Sequence, residues 1–251
     1  MTKMKKNIYL VCCLLSIACL FAGCNTSTSQ LAGNLESQTV KLPTITETQP
    51  ITNLAKIPII DVGNVRYISN QTSREKPYNS VEKLVEVSGF IFSGECVSSK
   101  PVYQNNNFYT LSEVKVYHTY KGKLAVGDIV QVFEIGGRTT FGDYVKGCAI
   151  EEKAFEQASD RLPDEYGIVE GIDGYFPLKT GEQVLLFAGD ASGFLKMTDK
   201  PLYGIHGDYD GKLYLQDDGT YARPIPSETD NFVFGKESLV ISVNQLKNSI
   251  G

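Results

Sequence analysis

Side chains able to do chemistry are few in this chain and widely separated. It has two histidines, His118 and His206, and six cysteines, of which Cys12, Cys13 and Cys19 fall in the first apolar run and Cys24, Cys96 and Cys148 beyond it. Nucleophilic catalysis needs a Ser, Cys or Thr beside a base that a third group orients. No Gly-x-Ser-x-Gly elbow occurs, and nothing local sets either histidine beside Cys96 or Cys148. His118 and His206 are therefore expected on strand surfaces or strand ends. Zinc would require ligands spaced as C-x-x-C or H-E-x-x-H, and neither spacing occurs. For calcium, Asp208, Asp210, Asp217 and Asp218 offer oxygen, but the third ligand and distant Glu of a full loop are missing. Asp210-Gly211 and Asp218-Gly219 read more simply as hairpin turns in which Gly takes positive φ. Glu151-Glu152 and Asp160, Asp164 and Glu165 read as a solvated acidic loop. No catalytic residue, metal or cofactor is expected.

Cys24 is different, because its surroundings give it a chemistry. Lys3, Lys5 and Lys6 open the chain, and Ile8 to Phe21 carries no charge. A basic tip and an apolar stretch make an export signal, too short to cross a bilayer comfortably, since crossing takes about 20 apolar residues. Ala22 and Gly23 supply the small residues that a signal protease accepts. Leu20-Phe21-Ala22-Gly23-Cys24 resembles the lipobox of bacterial lipoproteins, with Phe21 at the place where Leu is usual and Leu20 one step earlier. The resemblance implies cleavage between Gly23 and Cys24 and a diacylglycerol on the Cys24 sulfur. One acyl chain holds a protein reversibly whereas two anchor it stably, so the expected location is the extracytoplasmic face of a cell membrane.

Loss of residues 1–23 removes three Lys and no acid, taking the formal charge from −5 to −8. Neutralising phosphates needs clustered Lys and Arg, so nucleic acid is excluded as a partner. The lipid is the expected membrane contact. Cys96 and Cys148 form an even pair in an exported chain, which allows a disulfide but equally two buried thiols.

Three regions follow: a signal over residues 1–23, lipidated Cys24 and a linker to residue 58, and a single β-rich domain over residues 59–251. The linker is rich in Ser, Thr, Gln, Asn and Pro and cannot bury enough apolar area to order itself. Such a tether reaches roughly 30–35 Å. Ile57, Ile59, Ile60, Val62 and Val65 suit an added strand or an ordered lead-in. Asn79 and Glu82 form a capping box for a helix over 80–87. Period-two patterns then predict strands over 88–99, with Gly89 and Gly94 as bulge points, and over 107–122 and 129–137. Residues 138–177, with a short helix near 151–158, read as an insertion or long loop. A strand is expected over 182–188, then a hairpin of 202–207 with 212–216, a short apolar run at 239–241, and a last helix capped by Ser242 and Gln245.

These short strands point to a mainly β fold, a small barrel or sandwich with short flanking helices. The series FIFSGECVSS, YTLSEVKVYHTYKGKLAVGDIVQVFEIGG and PLKTGEQVLLFAG is similar to exported bacterial proteins of unassigned role whose domain is a five-stranded barrel, and to the OB-like barrels of netrin and metalloprotease-inhibitor domains. That resemblance implies a small antiparallel OB-like barrel over residues 80–190. The inhibitors meet their metal with a free N-terminal cysteine, whereas Cys24 would be lipidated and far from the barrel, so inhibition does not carry over. Tyr103, Phe108, Tyr109, Tyr117, Tyr120, Phe141 and Tyr144 give the barrel and its long loop an aromatic content suited to contact surfaces and equally to β cores. The expected function is a lipid-anchored surface protein with a non-catalytic binding or structural domain, its partner an envelope protein or polymer. The alternative is a cell-envelope hydrolase using His118 or His206.

Overall fold

Alternating apolar residues build the centre of the fold. The computed structural model describes residues 59–72, 77–151, 161–195 and 200–251. Gly23, Cys24, the linker and the helix expected near 151–158 (apart from Glu151) lie outside the described residues. In chain order the elements are β1 (Ile59–Val62), β2 (Val65–Asn70), α1 (Val81–Val87), β3 (Phe90–Gln104), β4 (Asn107–Lys121), β5 (Ile129–Ile135), β6 (Gly137–Thr140), α2 (Phe141–Gly147), β7 (Gly167–Ile172), β8 (Gln183–Asp190), β9 (Leu202–Ile205), β10 (Lys212–Leu215), β11 (Tyr221–Ala222), β12 (Val240–Ile241) and α3 (Val243–Ile250).

Strands β8, β3, β4 and β5 lie side by side and antiparallel. β9 runs parallel to β5 and returns antiparallel to β8, Ala188 facing Ile205. Five strands thus close a ring in the order of an OB-like barrel, as the sequence leads one to expect, except that one pair is parallel and the fifth strand, β9, lies beyond the expected 80–190 span. Phe92, Val114, Val116, Val132, Val184, Leu186 and Ala188 point inward and are fully buried. Their neighbours Ile91, Leu185 and Phe187 point outward, where α1 and α3 cover them with Leu84, Val85 and Leu246. Each such Val, Leu, Ile or Phe side chain contributes about 1.5–3 kcal/mol by leaving water. Gly94 sits at one of three register shifts in β3; a Cβ there would lie 2.4 Å from the Lys115 carbonyl oxygen, so the bulge requires glycine.

Three expectations are corrected. Residues 138–177 are not a loop: β6 and β7 join β1 and β2 in a second sheet of order β1-β2-β7-β6, with β2 and β7 parallel. The chain changes sheets at Gly136, at φ +84°, where a Cβ would meet the Glu170 carbonyl at 2.3 Å. Nor do β9 and β10 form a hairpin. Both take the same edge of β8, β10 along Val184–Leu186 and β9 along Ala188–Asp190, and between them Phe187 donates to Gly211 O and accepts from His206 N. The cap of α1 is Ser80, whose hydroxyl accepts from Lys83 N, rather than Asn79. The last helix has the expected capping box, Ser242 with Gln245.

The bridge left open for Cys96 and Cys148 does not form. Tyr103 packs on Gly147, beside Cys148. Cys96 is seven residues back along β3 from Tyr103, roughly 20 Å at the rise of a strand, against the 7 Å limit for Cα atoms in a disulfide.

Candidate functional site

His118 is exposed on β4 opposite Ser93. His206 follows β9, its ring edge-on to Tyr78 at 6.2 Å; burial pushes its imidazole down, against a backbone contact from Ala188. Cys96 lies inside the barrel with its thiol donating to Ser98 O at 3.3 Å, and burial pushes it up to about 11. A thiol so far above neutrality is not a nucleophile.

The aspartates do not converge on one point. Asp210 is nearly fully buried and holds Arg223 Nη1 at 2.7 Å and the Tyr78 backbone N–H at 2.8 Å. Asp208 lies outside any strand at φ +60°. Asp217 and Asp218 occupy the β10–β11 turn, where Asp218 accepts from Thr220 N and Oγ1 at 2.9 and 2.7 Å. Asp164 is exposed and meets Arg161 at 3.4 Å. The aromatic residues singled out from sequence mostly pack inward: Phe108 stacks on Tyr103 at 5.1 Å and meets Tyr144 edge-on at 5.7 Å, and Phe108, Tyr109 and Phe141 are buried. Glu170 is buried at this joint, accepting from Asn70 Nδ2 at 2.6 Å. Its burial pushes the carboxyl up, which Tyr144 and Asn70 partly oppose.

A concave site forms elsewhere, at the end of the barrel where β8 begins and β10 ends. Inside the barrel Lys212 and Glu134 make an ion pair with 3% and 4% of their side chains exposed. Lys212 Nζ also donates to Phe176 O at 2.8 Å, and the Glu134 carboxylate accepts from Leu178 N at 2.9 Å. The pair ties β10, β5 and the 176–178 segment together.

Over this end runs the strap between β11 and β12. Arg223 N–H donates to Leu239 O and Ile225 N–H to Val233 O, closing the strap on itself. Asp230 fixes it to the second sheet and to the segment ahead of β8: it accepts from Tyr67 OH at 2.9 Å and Arg138 Nε at 3.0 Å, and meets Lys179 Nζ at 3.2 Å. Burial pushes the Asp230 carboxyl up, but Arg138, Lys179 and Tyr67 together outweigh it and hold it below the ordinary aspartate range.

Asp230 thereby sets Phe232 against Tyr214, ring centroids 4.2 Å apart, with Phe234 a further 6.0 Å on. The result is an open groove of about 190 Å³. Tyr214, Phe232 and Phe234 form its aromatic walls, Glu182 and Asp217 bring carboxylates, and Gln183, Leu215 and Gln216 complete the lining. Phe232 and Phe234 are 44% and 37% exposed, large fractions for aromatic side chains in a packed unit. Glu182 accepts from Lys179 N at 2.9 Å. Burial pushes its carboxyl up, and the opposing influence of Lys179, Lys212 and Arg138 does not cancel the rise. Burial likewise raises the Tyr214 phenol well above its ordinary value.

Neither histidine and neither of the described cysteines, Cys96 and Cys148, lines this groove. The arrangement presents aromatic rings and carboxylate oxygen to solvent. Sequence reading missed it because Tyr214, Phe232 and Phe234 come from a short strand and an irregular segment. The available signal was the apolar triplet Phe232-Val233-Phe234 in a stretch otherwise rich in Pro, Ser, Thr and acids.

No protein-family model and no curated protein matches the chain. Among the described residues no helix is long and apolar enough to cross a membrane.

Proposed function

We propose that this chain is an exported lipoprotein of the bacterial envelope, held at the outer face of a cell membrane by acyl chains on Cys24 after cleavage at Gly23-Cys24, and that its barrel unit is a non-catalytic binding module. The location rests on the basic tip, the uncharged run from Ile8 to Phe21 and the small residues ahead of Cys24. The binding role rests on one observation: the groove whose walls include Phe232 and Phe234, held open to solvent by a strap that Asp230 pins from three sides. Exposed aromatic surface at a concave site is the usual mark of a contact region. An acidic body of charge −8 after signal removal turns away nucleic acid and leaves an envelope protein or polymer as the partner. The hydrolase alternative gains nothing from the positions of His118 and His206.

A photo-crosslinking residue in place of Gln216, at the rim of the groove, tests the binding role in intact cells. A discrete adduct from position 216, absent when the same residue replaces exposed Lys115 on β4, is the expected result. Adducts at neither position, or equally at both, would refute it.

A further inference from the structure

The lining of the groove is one-sided in its chemistry. Among the described residues that form it there is no Lys, Arg or His. Glu182 and Asp217 offer only acceptors when ionised, and the exposed Phe232 and Phe234, backed by buried Tyr214, present electron-rich ring faces. Of the two carboxamides, Gln216 already gives one N–H of its Nε2 to Tyr214 O at 2.8 Å, which lowers the number of donors left to the groove. A sugar, which needs donors and acceptors in alternation, finds few donors here. An anionic lipid head group meets like charge. A donor-only cation with a flat apolar face satisfies every wall at once.

Volume narrows the choice. At about 190 Å³ the groove is smaller than the roughly 300–1,000 Å³ of sites that enclose a whole drug-sized ligand. It takes one side chain and leaves the rest of the partner outside. A guanidinium stacks on aromatic faces, forks to carboxylates and sheds its hydration more readily than an ammonium. The chain itself shows that these rings accept cations: Lys179 Nζ lies 5.6 Å from the centroid of Phe232 and Lys212 Nζ 5.8 Å from that of Tyr214. Burial raises the Glu182 carboxyl against the pull of Lys179, Lys212 and Arg138, so a further cation beside it would favour its charged form.

We infer that the groove receives an arginine side chain of a partner peptide. This rests on the binding role proposed above and names its ligand chemistry. The acidic balance of the body would also draw a basic partner toward the groove, an attraction that salt weakens.

The test is an NMR titration of the purified full chain with acetyl-Gly-Arg-Gly-amide, followed at the backbone amides of Leu215, Gln216 and Phe234. Parallel titrations use peptides carrying Lys, citrulline or Glu in place of Arg, and chitotriose as an uncharged glycan. Saturable shifts confined to the groove are expected from the Arg peptide. The citrulline peptide, equal in shape but uncharged, is expected to bind at least about tenfold more weakly, and the Lys peptide several-fold more weakly. Phe234→Ala, a change at a surface ring, is expected to weaken the Arg peptide about three- to tenfold, and Asp217→Asn about two- to fivefold. Citrulline or Lys binding as tightly as Arg, shifts away from the groove, or saturation by chitotriose or the Glu peptide instead would overturn the inference. In the last case the binding role survives with another ligand; that role falls only if the crosslinker at position 216 also captures nothing specific.

Discussion

Removing the amine of Lys212 is the sharpest perturbation the fold offers. Lys212→Met keeps the length of the side chain but leaves the Glu134 carboxylate buried with one partner, the Leu178 N–H, and deprives Phe176 O of its donor. Breaking a buried pair by deleting one partner costs about 3–5 kcal/mol, most of it the uncompensated charge. In a domain of this size about 1 kcal/mol moves the melting temperature by roughly 2–4 °C, so the variant is expected to melt roughly 6–20 °C lower. Urea unfolding followed by circular dichroism gives the free energy directly. Glu134→Leu alone should cost a similar amount, since it strands the ammonium. The double variant should cost less than the two singles added, by about 2 kcal/mol, because neither charge is then left alone. Singles costing under about 1 kcal/mol, or a double that equals their sum, would show that the pair is solvated and that the barrel end is not built as described.

Three further outcomes follow from particular contacts. Burial raises the Glu170 carboxyl above its model-peptide range, so folding favours its protonated form, and that stability is present below about pH 4 and lost as pH rises through the raised value. Glu170→Gln should therefore stabilise the protein at pH 7 relative to wild type, with the gain vanishing near pH 4; melting curves at both pH values check it, and an equal effect at the two would contradict it. Gly94→Ala puts a methyl against the Lys115 carbonyl and Val114 Cγ1, and is expected to cost about 1–3 kcal/mol by urea unfolding; a neutral change would mean that β3 is not bulged there. Cys96, buried with its thiol pushed up to about 11, should resist iodoacetamide in the native protein and react on unfolding, as peptide mass mapping would show; prompt native labelling of Cys96 would contradict its place in the core.

Barrel strands β3 and β4 were legible because each is long and carries an alternating pattern. In β4, Phe108, Thr110, Ser112, Val114 and Val116 sit on one face with Val114 and Val116 fully buried, and such alternation survives in sequence. The second sheet was hidden because β6 and β7 are short and glycine-rich, with Gly136 and Gly171 set against the Glu170 and Tyr175 carbonyls and Gly137 against the side chains of Thr110 and Phe108, so the same residues read as loop. Shared use of one edge of β8 by β9 and β10 is a long-range competition that no local pattern records. Lys212 reads as a surface residue at a strand end, and only its pairing with Glu134, 78 residues away, makes it interior. The groove was illegible for the same reason: its aromatic wall is assembled by Asp230 reaching Tyr67, Arg138 and Lys179, three partners far apart in sequence.

The functional reading depends above all on where the chain works, and the state of Cys24 decides that. Intact-mass analysis of the protein extracted from its own membranes is expected to give a chain beginning at Cys24 and heavier by a diacylglycerol, with Cys24→Ser releasing the protein from the membrane fraction. A mature chain of unmodified mass, or a serine variant that stays membrane-bound, would contradict the account.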